Sequence, residues 1–132
     1  MELEQLDWQT DIEVYVRHSS ELEVMRWLEE DLGPLHQVET IPIIYHSARA
    51  GPQVSVIIQE GIGDGTYMGV MIAPNITRWA TDADLARAAF EALGQEIRCD
   101  PGPLGPAPWQ FLEITPSGEA VVEWWDPEDD VE

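Results

Sequence analysis

The stretch "QVSVIIQEGIGDGTYMGVMIA" (residues 53–73) decides the fold, because it holds two β-rich segments joined by a glycine-rich turn. In the first segment Val54, Val56 and Ile58 alternate, which is the pattern of a half-buried strand. The segment "GIGDG" (61–65) is typical of a turn, and Gly69 in the second segment indicates a bulge or a close backbone approach. The stretch therefore predicts an antiparallel strand pair.

Segments on both sides extend this pair into a larger sheet. Residues 11–18 ("DIEVYVRH") place alternate apolar residues on one face and predict a strand. Residues 38–46 ("VETIPIIYH") predict one strand, in which Pro42 indicates a sheet edge or a bulge. With the two strands of residues 53–73 it would form a three-stranded meander. Residues 95–99 ("QEIRC") predict one further short strand.

A hairpin is predicted near the end of the chain, in "WQFLEITPSGEAVVEWW" (109–125). Two alternating runs flank Pro116–Ser117–Gly118, which we interpret as the turn. This register would place five apolar residues on one face: Leu112, Ile114, Ala120, Val122 and Trp124.

Two helices are predicted from their caps and their apolar spacing. Residues 19–34 begin with a capping box of Ser20 and Glu23 and end at Gly33–Pro34. Six apolar residues form the buried stripe expected for this helix: Leu22, Val24, Met25, Trp27, Leu28 and Leu32. In residues 82–94, Thr81 followed by Asp84 predicts the start, and Gly94 the C-terminal cap.

The element order predicts an α+β fold, with a mostly antiparallel sheet of about five to six strands and two helices packed on one face. A length of 132 residues is typical of one domain, so we assign residues 1–132 to a single domain. Residues 100–108 ("DPGPLGPAP") predict a connector rich in proline and glycine. Residues 126–132 form an acidic C-terminal tail.

Charge is the most pronounced feature of the composition. There are 26 acidic residues against six arginines and no lysine, giving a net charge of −20. Such a potential repels nucleic acids and anionic membrane surfaces and attracts basic proteins or cations. A high-salt source or a GC-rich genome would produce the same bias without a binding role.

The acids concentrate toward the two ends of the chain. Residues 1–32 hold ten of them and residues 119–132 hold seven. If the termini lie together, as they often do in domains, these acids form one patch with nearby tryptophans as anchors. The expected partner-binding residues are Trp124, Trp125, Asp126, Glu128, Asp129 and Asp130, with Glu29, Glu30 and Asp31 from the first helix.

Motifs for catalysis or metal binding are weak. His18, His36 and His46 show no short ligand spacing, so no metal or cofactor is expected. The only cysteine, Cys99, excludes an internal disulfide, and together with the lack of a signal-like N-terminus it predicts a cytoplasmic protein. No apolar stretch reaches the roughly 20 residues of a membrane span.

Three functional hypotheses follow. The sequence favours an acidic protein-binding module for a basic protein partner, comparable in style to immunity proteins, other inhibitors or secretion chaperones, although no motif identifies a family. The alternative is a small-molecule-binding or enzymatic domain using Tyr67, Trp79, His46 or Asp64. The third is a homo-oligomer that pairs through an edge strand.

Overall fold

A computed structural model describes residues 9–48, 53–105 and 107–124. Its elements in chain order are β1 (Ile12–Arg17), α1 (Glu21–Leu32), β2 (Leu35–Thr40), β3 (Ile43–Ser47), β4 (Ser55–Ile62), β5 (Tyr67–Ala73), α2 (Asp82–Leu93), β6 (Ile97–Cys99), a 3₁₀ turn (Gly102–Leu104), β7 (Gln110–Thr115) and β8 (Gly118–Glu123). All neighbouring strands are antiparallel. The predicted α+β class is confirmed.

The first strand lies in the interior of the sheet, whose order is β2-β3-β4-β5-β1-β6-β7-β8. On one side β1 pairs with β5, with Ile12 opposite Ile72. On the other side it pairs with β6, with Tyr15 opposite Arg98. The meander and the C-terminal hairpin therefore belong to one sheet through β1.

Both helices cover the same face of this sheet. Val14 and Val16 of β1 are fully buried there, as are Leu28 of α1 and Leu85 of α2. Burying such a side chain contributes about 1.5–3 kcal/mol. Because side chains alternate along a strand, Tyr15 and Arg17 lie on the opposite, helix-free face. We call this second face the open face.

The helix caps are those predicted. Ser20 accepts a hydrogen bond from the Glu23 N–H, and the Glu23 side chain accepts one from the Ser20 N–H, which completes a capping box. Thr81 caps α2 by accepting from the Asp84 N–H at 3.2 Å. Gly94 ends α2 in the left-handed conformation.

The strand count is higher than predicted, mainly because residues 38–46 do not form one strand. Ile41 and Pro42 form a turn between β2 and β3, and Ile41 is 91% exposed. Pro42 has no N–H for a ladder, so the chain turns there instead of continuing. A bulge interrupts β2 between Gln37 and Glu39.

The predicted hairpin register is wrong by one residue. Thr115 pairs with Gly118, so the turn is only Pro116–Ser117. Leu112 consequently lies opposite Val121, and Ile114 opposite Glu119. A shift of one residue moves each side chain to the other face. Three residues therefore lie on the open face, away from Leu112 and Ile114: Ala120, Val122 and Trp124.

Smaller predictions had mixed outcomes. The stripe predicted to be buried in α1 includes Leu22, but Leu22 is 59% exposed. Gly69 does mark a close approach, because a Cβ there would lie 2.8 Å from Ile62 Cδ1. The described part of the 100–108 connector, which omits residue 106, contains a 3₁₀ turn at Gly102–Leu104. None of the helices in the described ranges is long and apolar enough to cross a membrane.

Candidate functional site

Four aromatic side chains gather on the open face, and we call them the aromatic cluster: Tyr15, Tyr67, Phe111 and Trp124. The Trp124 ring is central, with centroid distances of 4.6 Å to Tyr67, 5.1 Å to Phe111 and 5.3 Å to Tyr15. Trp124 follows β8 directly, and its N–H donates to the Trp109 carbonyl at 2.8 Å. This bond holds the end of the hairpin so that the indole covers the sheet.

Two arginines lie against these rings. The Arg98 guanidinium carbon is 4.9 Å from the Trp124 centroid and 5.2 Å from the Tyr67 centroid. Arg17 lies 5.4 Å from the Tyr67 centroid. Cation–π contacts of this kind contribute about 0.5–2 kcal/mol, more where water is excluded. The aromatic cluster therefore holds two cationic side chains of the same protein, Arg17 and Arg98.

The carboxylates of Glu96 and Glu113 offset the positive charges of these two arginines. Arg98 Nη2 donates to Glu113 at 2.8 Å, and Arg17 Nη1 donates to Glu96 at 3.3 Å. Arg98 Nε lies 3.3 Å from Glu96 Oε2, but its N–H is not aligned with an acceptor among the described residues. The contact is thus electrostatic without being a hydrogen bond.

The ionisation of Glu96 and Tyr67 is shifted in opposite directions. Burial opposes the charge of Glu96, but the hydrogen bond from the Tyr67 hydroxyl and the nearby arginines outweigh it and lower the pKa of Glu96. Burial, reinforced by this hydrogen bond, raises the pKa of Tyr67. Both groups therefore keep their ordinary charge states at neutral pH, and the network is a stable element of the open face.

A second group of acids lies where β1 begins. The Asp82 carboxylate accepts the Glu13 N–H at 2.8 Å, beyond the end of short strand β6. Burial is the main cause that raises the pKa of Asp82, and Asp100 and Asp11 add to it. Burial likewise raises the pKa of Glu13. The described ranges contain no group of three or more His, Cys, Asp or Glu arranged to hold a metal ion.

The structure separates the two described parts of the predicted partner-binding surface. Trp124 lies half-buried on the open face, whereas Glu29, Glu30 and Asp31 belong to α1 on the opposite face. Glu29 accepts the Leu35 N–H at 2.9 Å, and Asp31 pairs with Arg78. The other five predicted residues lie outside the described ranges: Trp125, Asp126, Glu128, Asp129 and Asp130.

The four residues named for the small-molecule alternative do not converge on one site, although Tyr67 and Asp64 both lie near Arg17. Trp79 is buried in the helix-side core, 5.9 Å from Trp27 by ring centroids. Tyr67 belongs to the aromatic cluster, and Asp64 caps the Thr66 N–H in the β4–β5 turn. His46 lies beside His36 across β2 and β3, with ring centroids 6.4 Å apart. Sequence spacing missed this histidine pair because the turn at residues 41–42 was not anticipated.

A shallow groove of about 380 Å³ lies between α1 and strands β2 and β3. Its lining residues are Glu21, Leu22, Met25, Arg26, Glu29, Leu35 and Tyr45. The Tyr45 hydroxyl donates to Glu21, and this hydrogen bond is the main cause that raises the pKa of Tyr45 to about 12. The groove thus joins an apolar floor to two carboxylates and one arginine.

The two edges of the sheet differ. In β2 the bulge breaks the ladder, and Gln37 Nε2 donates to the Glu39 carbonyl at 3.0 Å. Bulges of this kind protect an edge against pairing. The β7–β8 ladder runs without a register shift from Thr115–Gly118 to Gln110–Glu123. Strand β8 is therefore the regular edge.

The arginines are largely held by the chain's own acids. Arg17, Arg78, Arg87 and Arg98 each form an ion pair within the described ranges. Exposed carboxylates occur just before β1, on both helices and on three strands, and they include Asp11, Glu30, Glu39, Glu60, Glu91 and Glu123. With a net charge of −20, the protein carries a negative electrostatic potential.

Comparison with protein-family profiles, curated proteins and solved structures returned no match in any of the three searches.

Proposed function

We propose that this chain is an acidic protein-binding module, of an inhibitor, immunity-protein or chaperone type, that docks a basic protein partner. The observation that carries the proposal is that the arginines pair with acidic residues of the same chain. Four arginines are occupied in internal ion pairs, so few cations remain to offset the carboxylates that are exposed in the described ranges. Such a field accelerates encounter with a basic partner and disfavours acidic competitors.

In this proposal Trp124 and the exposed carboxylates have separate roles and do not form a single terminal patch. The Trp124 ring is engaged by Tyr67, Phe111 and Arg98, so we assign it to shaping the open face. Exposed carboxylates then supply the attraction, and the acidic residues 126–132, which follow β8 in the sequence, add to the net charge. The same field disfavours nucleic acids and anionic membranes as partners.

A reducing, cytoplasmic setting belongs to the same proposal. Cys99 is a free thiol in the helix-side core. Burial, followed by the charges of Asp82 and Asp100, raises its pKa to about 12. A thiol in this state is a poor nucleophile and behaves as a small apolar side chain.

Affinity isolation from the source cells, followed by reconstitution, tests this function. Tagged protein is incubated with lysate at low and at high salt, and retained proteins are identified, purified and recombined with the chain. We expect a basic protein that is retained at low salt, released at high salt and bound again in the purified mixture. Failure of a basic protein to bind again, or retention that is indifferent to salt, contradicts the proposal.

The groove beside α1 supports a second candidate function, the binding of a small apolar molecule that carries a cationic group. Its apolar floor includes Leu22 and Met25, and Glu21 and Glu29 supply the negative charge. Methyl NMR signals of Leu22 and Met25, followed during titration with alkylammonium compounds, test this candidate. Saturable shifts support it, and unchanged signals reject it.

A further inference from the structure

Strand β8 carries a row of backbone groups that point away from the sheet. Trp124 N–H bonds to Trp109 O, so this pair is of the hydrogen-bonded kind. In an antiparallel ladder such pairs alternate with non-bonded ones. By this alternation and the register of β8, Glu119, Val121 and Glu123 direct their N–H and C=O groups outward. Within the described ranges β7 is the only strand beside β8.

The side chains of the same three residues share one face of the sheet. Val121 is 40% exposed and is flanked by a carboxylate on each side. Arg87 Nε donates to Glu119 at 2.8 Å, which lowers the pKa of Glu119 and fixes its carboxylate. Glu123 is exposed at the other end of the row. The edge therefore presents acid, apolar and acid positions at every second residue.

We infer that β8 is the docking edge for an extended basic segment of the partner, which adds to the sheet as a ninth strand. This inference rests on the proposed function and specifies its site. Main-chain hydrogen bonds would supply affinity in such strand addition, and alternate side chains would supply specificity. The complementary segment has a β-branched residue opposite Val121 and Lys or Arg opposite Glu123, since opposite charges across strands are favourable. A second Lys or Arg opposite Glu119 contributes less, because Arg87 already pairs with that carboxylate.

Charge also argues against a second copy of this chain as the occupant. If two β8 edges paired antiparallel with Val121 opposite Val121, Glu119 of each chain would face Glu123 of the other. Like charges directly opposite each other destabilise a strand pair. Two chains that each carry −20 would add a general repulsion at low salt.

An NMR titration with a synthetic peptide tests this inference. The probe is a short peptide with two lysines flanking a central valine at alternate positions and threonines elsewhere, and the control peptide has glutamates in place of the lysines. We expect the lysine peptide to slow amide hydrogen exchange at Glu119, Val121 and Glu123. The glutamate peptide should leave these amides unchanged.

Proline substitution separates the outward groups from the hairpin itself. V121P removes an outward N–H, which an edge strand tolerates, whereas A120P removes an N–H of the β7–β8 ladder and should unfold the hairpin. We expect V121P to keep the ladder amides protected while weakening peptide binding about fivefold, the effect of one ordinary hydrogen bond. As a second variant that leaves the backbone unchanged, E123K should weaken binding more than E91K, which changes the same charge on α2.

The outcomes distinguish this inference from the function on which it rests. If the isolated basic partner binds V121P and E123K as tightly as it binds the parent chain, β8 is not the docking edge, although the proposed function stands. If no basic protein binds again after purification, the proposed function itself is contradicted, and the inference that rests on it is contradicted as well. A dimer in light scattering that V121P dissociates would make a second copy the occupant and overturn the inference.

Discussion

The indole ring of Trp124 packs directly against Gly63 in the β4–β5 turn, so closely that a Cβ on Gly63 would lie 2.7 Å from Trp124 Cζ2. Trp124 comes from the end of the last described strand, and Gly63 from a turn near the middle of the chain. The contact therefore joins the C-terminal hairpin to the meander across the open face.

The substitution G63A tests this contact. Gly63 has φ +68°, so alanine there costs about 1–2 kcal/mol from backbone strain alone. The clash with the indole should add to that loss in a denaturation experiment. G61A is the matched control, because Gly61 has φ +74° but open space around its Cβ position. Equal losses for the two variants would contradict the packing.

Substituting Glu96 tests the charge network beneath Trp124. E96Q should lower the free energy of unfolding at neutral pH by about 2 kcal/mol, the range for hydrogen bonds to a charged group. Because the folded-state pKa of Glu96 is lowered, its stabilisation is present above the ordinary value of 4.5 and is lost as pH falls through the folded value. The gap between wild type and E96Q should therefore narrow in acid. E60Q, at an exposed carboxylate of β4, serves as the control, and a gap independent of pH would count against the network.

Asp82 should show the opposite pH dependence. Burial raises its folded-state pKa above the ordinary 3.8, so the folded state loses stability as pH rises from that value through the raised one. D82N keeps an oxygen that can accept the Glu13 N–H and removes the charge. We expect D82N to gain stability relative to wild type between acid and neutral pH, as measured by denaturant unfolding. E91Q removes an exposed charge from the same helix, and a similar gain there would rule out the role of burial.

The correct parts of the fold prediction rested mostly on interactions between residues that are close in sequence. Ser20 with Glu23, and Thr81 with Asp84, begin the helices where the sequence placed them, because capping depends on neighbouring residues alone. The hairpin register failed because Gly118 fits a turn as well as a strand end. That single residue decided which face Trp124 would join.

The open face could not be predicted because it depends on the order of strands. The aromatic cluster forms only when β1 lies between β5 and β6, a pairing between segments far apart in sequence. Hydrophobic alternation marks Val14 and Val16 as core but says nothing about which strand will lie beside Tyr15. The regular β8 edge was missed for a similar reason, since its outward groups follow from the true turn length.

Salt titration of the dissociation constant tests the central claim, attraction of a basic partner by an anionic surface, most directly. The chain and the purified partner are mixed in a calorimeter at increasing salt concentrations. We expect the dissociation constant to rise by about tenfold or more between low and high salt, because screening weakens the attraction between opposite charges. A dissociation constant that stays the same across the series would contradict the claim.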